Sequence, residues 1–143
     1  MKIGRMLSTL ISPAADASSR LYERVRFIEH SGQRVLLIDY SHCDPVLFKQ
    51  VAAEGHRVIA TQLYNSVLTL SDVTGTGFDT EAVAVLKSKV AANAPYVRRA
   101  AVVGISGLQG LIYDGIQAFA KRRIPLFPSR EKAMEWLVKD PNV

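Results

Sequence analysis

The sequence is short of cysteine and of long apolar runs, and each shortage removes a class of protein. Its one cysteine, Cys43, rules out an internal disulfide and a thiolate metal cage, so nothing argues for secretion. No segment approaches the roughly 20 consecutive apolar residues that a membrane-spanning helix needs. The rest, 48% hydrophobic and 22% charged, is ordinary for a globular domain. We therefore expect a cytoplasmic protein without a membrane span, a metal or a cofactor.

The net charge of +5 comes partly from two short basic clusters, Arg98-Arg99 and Lys121-Arg122-Arg123. A nucleic-acid-binding surface usually combines such clusters with interleaved aromatic side chains, which are absent here. We interpret the clusters as charges that keep loop and helix ends solvated, and we expect no nucleic-acid partner.

A length of 143 residues predicts one domain, preceded by an arm. We assign residues 1–20 to an N-terminal arm or short helix and residues 21–143 to the domain. The arm has more apolar side chains than a free tail should expose, so it should pack on its own domain or on a second copy. We expect a homodimer. The apolar side chains of the arm are Ile3, Met6, Leu7, Leu10 and Ile11.

Strand and helix signals alternate in the order ββαβαβαβα. Strands that are apolar throughout and separated by helices predict a mostly parallel sheet covered by helices. The short turn at residues 31–33 predicts an antiparallel first hairpin, and Pro125 places the last strand at an edge. The fold class is therefore α/β, with a single mixed, mostly parallel five-stranded sheet. The predicted strands span 25–29, 35–40, 66–73, 100–105 and 124–127, and the helices begin at Asp44-Pro45, Asp79, Ser106-Gly107 and Ser129.

One stretch, Gly104 to Leu108, nearly matches the G-x-S-x-G elbow of α/β-hydrolases. Leu108 stands where the second glycine belongs, and the last histidine, His56, precedes the serine instead of following it. We interpret Ser106 as a helix-capping residue. A hydrolase is the third hypothesis for this chain.

Cys43 lies between His42 and Asp44, but neighbours in sequence do not form a catalytic pair in space. A lone cysteine near a strand end usually serves packing, and the histidines show no metal-ligand spacing. We therefore expect no enzyme activity.

The loop Thr74-Gly75-Thr76-Gly77 precedes a predicted helix, whose free amides could hold an anion. It follows a predicted central strand, at the edge where open α/β sheets bind their ligands. It has neither the lysine of a phosphate-binding P-loop nor the dinucleotide fingerprint. The alternative is that it is only a flexible turn.

Residues 66–86, SVLTLSDVTGTGFDTEAVAVL, resemble the central strand, loop and helix of STAS domains, the sulfate-transporter and anti-sigma-factor-antagonist domains. Residues 122–137, RRIPLFPSREKAMEWL, resemble the closing strand and helix of small bacterial proteins in the SpoIIAA-like branch. The resemblance extends over about residues 22–138 and rests on element order and these two stretches.

The resemblance implies a non-enzymatic module that binds a partner kinase or anti-sigma factor and is switched by phosphorylation at the start of the central helix. Asp79 and Thr80 match the family pattern, but Glu81 occupies the usual acceptor position. We therefore expect no phosphorylation switch there, and a fixed charge in its place. Related SpoIIAA-like proteins also resemble lipid-binding Sec14-type domains, which makes a lipid or other apolar small molecule the alternative ligand.

We accordingly place the candidate binding surface on the loop after the third strand, the start of the following helix and the next loop along the sheet edge. A protein partner is the first hypothesis, and a lipid or small anion at the same edge is the second. The surface comprises Thr74, Gly75, Thr76, Gly77, Asp79, Thr80, Glu81, Gly104, Ser106 and Gly107.

Overall fold

The predicted alternation of strands and helices is confirmed in the structure, a computed structural model that describes residues 21–118, 120 and 123–139. The arm expected at residues 1–20 lies outside the described residues. The elements are β1 (Val25–His30), β2 (Gln33–Asp39), α1 (Pro45–Ile59), β3 (Val67–Asp72), α2 (Thr80–Asn93), β4 (Val97–Val103), α3 (Leu108–Gln117), β5 (Leu126–Phe127) and α4 (Arg130–Leu137).

The five strands form one mixed sheet in the order β1-β2-β3-β4-β5, which confirms the predicted fold class. β1 and β2 are antiparallel, and β2, β3, β4 and β5 are parallel to their neighbours. The first hairpin turns through Ser31 and Gly32, both with positive φ (50° and 76°), as a two-residue turn between twisted strands requires. β3 is central and β5 lies at the edge, both as expected.

Alternate residues of each inner strand face opposite layers of the core. In β2, Leu36 and Ile38 pack in the cluster that contains α1, whereas Val35 and Leu37 pack with α4. The first cluster also takes Ala82 of α2, so α1 and α2 cover one face of the sheet. The short helix α4 covers the other face through three buried residues, Ala133, Met134 and Leu137.

The residues predicted to begin three of the helices do so. Each side chain accepts a hydrogen bond from an amide in the first turn, which satisfies a donor that the helix itself leaves unpaired. α1 continues past Gly55 to Ile59. At Gly55 the helix lies close to the sheet, because a Cβ there would be only 3.3 Å from Ile38 Cδ1. The capping pairs are Asp44 with Leu47 N (2.8 Å), Asp79 with Ala82 N (2.6 Å) and Ser129 with Lys132 N (3.2 Å).

The N-cap of α3 is Gly107, one residue after the serine that we expected there, with φ 53° and ψ −129°. A glycine has no side chain that could accept a bond from the helix amides. This backbone conformation favours glycine, so the chain enters α3 through a glycine turn and Ser106 lies exposed before it.

The helices α2 and α3 are covered less closely than α1. On α2, Ala82 is buried, but Val83, Leu86 and Val90 remain partly exposed. On α3, Ile116 is buried whereas Leu111 is 72% exposed. Leu86 and Val90 line a cavity that lies between these helices and the sheet.

Phe48 should carry a large share of the stability. Its ring is fully buried, stacks on Tyr40 at 4.5 Å and meets Phe78 edge-on at 4.8 Å. Phe48→Ala should lower the free energy of unfolding by about 3–5 kcal/mol, measured by urea denaturation. Val46→Ala on the same helix is the control, because Val46 is 62% exposed. It should change that free energy by no more than about 0.5 kcal/mol, and equal losses in both variants would contradict the packing described.

Candidate ligand-binding site

Two loops meet at the carboxyl edge of the sheet, as the candidate surface requires. Gly104, with φ 89°, lies so close to Thr74 that a Cβ built on it would sit 2.5 Å from the Thr74 amide nitrogen. Gly75, with φ 64°, lies equally close to the His42 ring. The structure thus brings Thr74, Gly75 and Gly104 together with the loop after β2, at positions that only glycine can occupy without strain.

An ionic network that we did not predict lies beside these loops, on the face that α4 covers. Arg130, the first residue of α4, donates from Nε to Asp72 Oδ2 at 2.7 Å and lies 3.3 Å from Asp39 Oδ2. Asp39 and Asp72 are the last residues of the paired strands β2 and β3. Carboxylates at neighbouring strand ends were visible in the sequence, but their pairing with an arginine 58 residues later was not.

Asp72 is held in its ionised form. Burial favours the protonated acid. Hydrogen bonds from the Thr74 hydroxyl (2.7 Å) and amide (3.0 Å), and the Arg130 guanidinium, favour the carboxylate and together outweigh the effect of burial. The net effect lowers the pKa of the Asp72 carboxyl.

The loop after β3 uses most of its donors inside the protein. The Thr76 hydroxyl, for example, is buried and donates to Tyr40 O at 2.7 Å. A loop with its amides already bonded and a carboxylate alongside offers little to an anion, so the geometry does not favour an anion cradle. The internal amide bonds run from Thr74 N to Asp72 Oδ1 (3.0 Å), Thr76 N to Val73 O (3.2 Å) and Gly77 N to Cys43 O (2.8 Å).

Cys43 is buried, and its thiol is a poor nucleophile. Burial raises the pKa of its thiol to about 11, and the nearby Arg24 guanidinium only partly offsets this effect. Because the thiolate is the nucleophile, a thiol that stays protonated near pH 7 is a poor one.

The start of α2 presents the other residues of the candidate surface to solvent. Asp79 caps the helix, Thr80 is exposed, and Glu81 is 74% exposed while its Oε2 pairs with Lys49 Nζ at 3.1 Å. Ser106 and Gly107 are exposed on the neighbouring loop. Asp79 and Thr80 also line a shallow, open depression beside the start of α2, together with Val83 and Lys87.

A mostly apolar cavity of about 120 Å³ lies between the sheet and the helices α2 and α3. The sheet contributes residues such as Ile38 and Val102, and the helices contribute Leu86, Ile112 and Ile116. β4 presents the small side chain of Ala100 to this space, where a larger residue would fill it. Sequence reasoning missed this cavity.

Three of the polar side chains that line the cavity bond to other groups of the protein. The polar lining residues are Tyr40, Thr69, Ser71, Lys89, Asn93, Tyr113 and Gln117. Asn93 Oδ1 accepts from His56 Nδ1 at 2.7 Å, and the Tyr113 hydroxyl donates to the Ile124 carbonyl. Gln117 Oε1 accepts from the Ile124 amide at 2.9 Å. Among the lining residues that the structure describes, Lys89 is the one charged side chain.

Within residues 21–118, 120 and 123–139, no group of three or more His, Cys, Asp and Glu side chains could hold a metal ion. None of the helices in these same ranges is long and apolar enough to cross a membrane.

Comparison of the chain with protein-family models, with curated proteins and with solved structures found no match.

The contact between Gly104 and Thr74 can be tested by adding one methyl group. Gly104→Ala should lower the free energy of unfolding by about 2–4 kcal/mol, because a Cβ there meets backbone at positive φ. Gly110→Ala, on α3 with open space around its Cβ, is the control and should raise that free energy by about 0.5–1 kcal/mol. A Gly104→Ala protein as stable as the parent in urea denaturation would show that the two loops do not touch.

The lowered pKa of Asp72 gives the protein a specific response to acid. The folded-state pKa lies below the unfolded value, so the ionised carboxylate stabilises the fold above about pH 4. This stabilisation is lost as the pH falls through the folded-state pKa. Asp72→Asn should therefore be less stable than the parent at pH 7 but lose less stability on acidification, measured by urea denaturation at several pH values. Asp114→Asn, at an exposed position of α3, is the control. An unchanged acid response in Asp72→Asn would contradict the network.

Proposed function

We propose that this protein is a non-catalytic binding module that takes a small apolar molecule into the cavity beneath α2 and α3. The cavity is the observation that carries the proposal, because a close-packed domain interior normally contains few voids larger than a water molecule. At the carboxyl edge, which the sequence favoured for a ligand, the loop after β3 already bonds most of its own donors.

The size and lining of the cavity suit an apolar occupant. A cavity needs only about 10–15 Å³ to admit one water, yet an apolar cavity of about 150 Å³ stays dry and binds benzene. At about 120 Å³, the present cavity is of that order. An apolar molecule here would restore the contacts that the void removes from Leu86, Ile112 and Ile116.

The chemistry of the described residues argues against a catalytic role. The Cys43 thiol is kept protonated by burial, and Asp39 and Asp72 are engaged with Arg130. Ser106 is exposed on its loop, and the sequence contains no histidine after it. A hydrolase therefore remains the third hypothesis.

A protein partner is the second candidate function, and the exposed start of α2 favours it. Thr80 and Glu81 lie in the open there, with Ser106 and Gly107 on the next loop. The resemblance to STAS domains implies a kinase or an anti-sigma factor at this surface. Glu81 would supply the partner with a fixed negative charge, which its ion pair with Lys49 holds in place.

Binding of a neutral hydrocarbon tests the first proposal. Toluene at ten times its dissociation constant should raise the free energy of unfolding by about 1.4 kcal/mol, measured by urea denaturation in sealed cells. Ala100→Leu should abolish this effect by filling the cavity, while Ala92→Leu, at an exposed position of α2, should retain it. Native mass spectrometry of the purified protein would show any molecule retained from the host. Absence of a toluene effect on the parent protein would overturn the proposal.

A further inference from the structure

We infer that the occupant of the cavity is a small amphipathic monocarboxylate, with its apolar body in the cavity and its carboxylate on Lys89. This inference rests on the proposed function and names the chemical class of the ligand. Three observations carry it: the place of Lys89 on α2, the lack of a partner for its ammonium group, and a second donor one helical turn away.

Lys89 occupies a position where the helix should be apolar. Leu86, Lys89, Val90 and Asn93 all line the cavity, at the spacing of three and four residues that places side chains on one face of a helix. Lys89 is partly buried. A lysine that served only solubility would lie on the opposite face of α2.

The Lys89 ammonium group has no counterion among the residues that the structure describes. No hydrogen bond or ion pair joins it to any residue in 21–118, 120 and 123–139, whereas Lys49 pairs with Glu81 and Lys132 with Glu135. An ammonium group without a counterion can form a charge-assisted hydrogen bond with a ligand carboxylate, and such a bond is stronger than a neutral one. A ligand carboxylate would provide that counterion at the wall of an otherwise apolar space.

Asn93 adds a neutral donor to the same wall. Its Oδ1 accepts from His56 Nδ1 at 2.7 Å, so its side-chain NH₂ group remains to donate. Asn93 is four residues after Lys89 and therefore lies one turn along the same face. A carboxylate has two oxygens, which match one ammonium donor and one amide donor.

The volume and the single charge together limit the ligand. A cavity of about 120 Å³ takes an apolar body of no more than about six carbon atoms, by comparison with the ~150 Å³ that binds benzene. A phospholipid has two long chains and a bulky headgroup, far more than this space holds. One ammonium group matches one carboxylate in charge, whereas a phosphate monoester carries nearly two negative charges near pH 7.

Calorimetric titration with hexanoate and 1-hexanol, which differ mainly in the charged group, tests the inference. The parent protein should bind hexanoate at least about tenfold more tightly than 1-hexanol, as expected for a charge-assisted hydrogen bond. Lys89→Met should remove this preference and leave the affinity for 1-hexanol within about twofold of the parent. Retained binding of 1-hexanol also shows that the variant folds. Lys87→Met, two residues earlier on α2 and outside the cavity lining, is the control and should keep the preference.

The possible outcomes separate the two proposals. Equal affinity for hexanoate and 1-hexanol in the parent protein would overturn the monocarboxylate inference and leave the apolar binding function standing. A preference that survives Lys89→Met, or that Lys87→Met also removes, would overturn the assignment of the carboxylate to Lys89. Failure of both molecules to bind the parent protein would overturn the proposed function itself.

Discussion

The order of the strands is the constraint on which the rest of the structure depends. β2, β3, β4 and β5 are parallel and lie side by side in sequence order. Each connection therefore moves one strand further toward the same edge of the sheet. Crossovers of one hand then place their helices on one face. That face carries α1, α2 and α3, and the opposite face receives α4, the helix after the last strand. Three helices of different length share one side of a small sheet, and the cavity lies where their cover is least close.

The local features of this fold could be predicted because each depends on a few adjacent residues. Asp44, Asp79 and Ser129 begin their helices where the sequence placed them, since capping needs only a side-chain acceptor and the first-turn amides. Ser31 and Gly32 form the hairpin turn for a similar local reason. At α3 the N-cap is Gly107 rather than Ser106, because the glycine adopts a positive-φ conformation that sequence spacing does not reveal.

The candidate site was harder to predict because it depends on distances between elements. The pairing of Asp72 with Arg130 joins residues far apart in sequence, and the alternation within β3 indicates only the face on which Asp72 lies. The cavity lies between the sheet, which contributes the small side chain of Ala100, and the helices α2 and α3. The sequence did contain one clue to the cavity. Lys89 stands between the apolar residues Leu86 and Val90 on the face of α2 that lines it.

The ionic network at the strand ends has a mechanical consequence. Arg130 belongs to the helix on one face, its partner Asp72 ends the central strand, and Asp72 in turn holds Thr74 against Gly104 in the loops that lead to the other face. The two layers of helices are therefore joined through the sheet edge as well as through its apolar surfaces. Detachment of α4 would therefore also free the loops that precede α2 and α3. We expect the domain to unfold as one cooperative unit rather than one layer at a time.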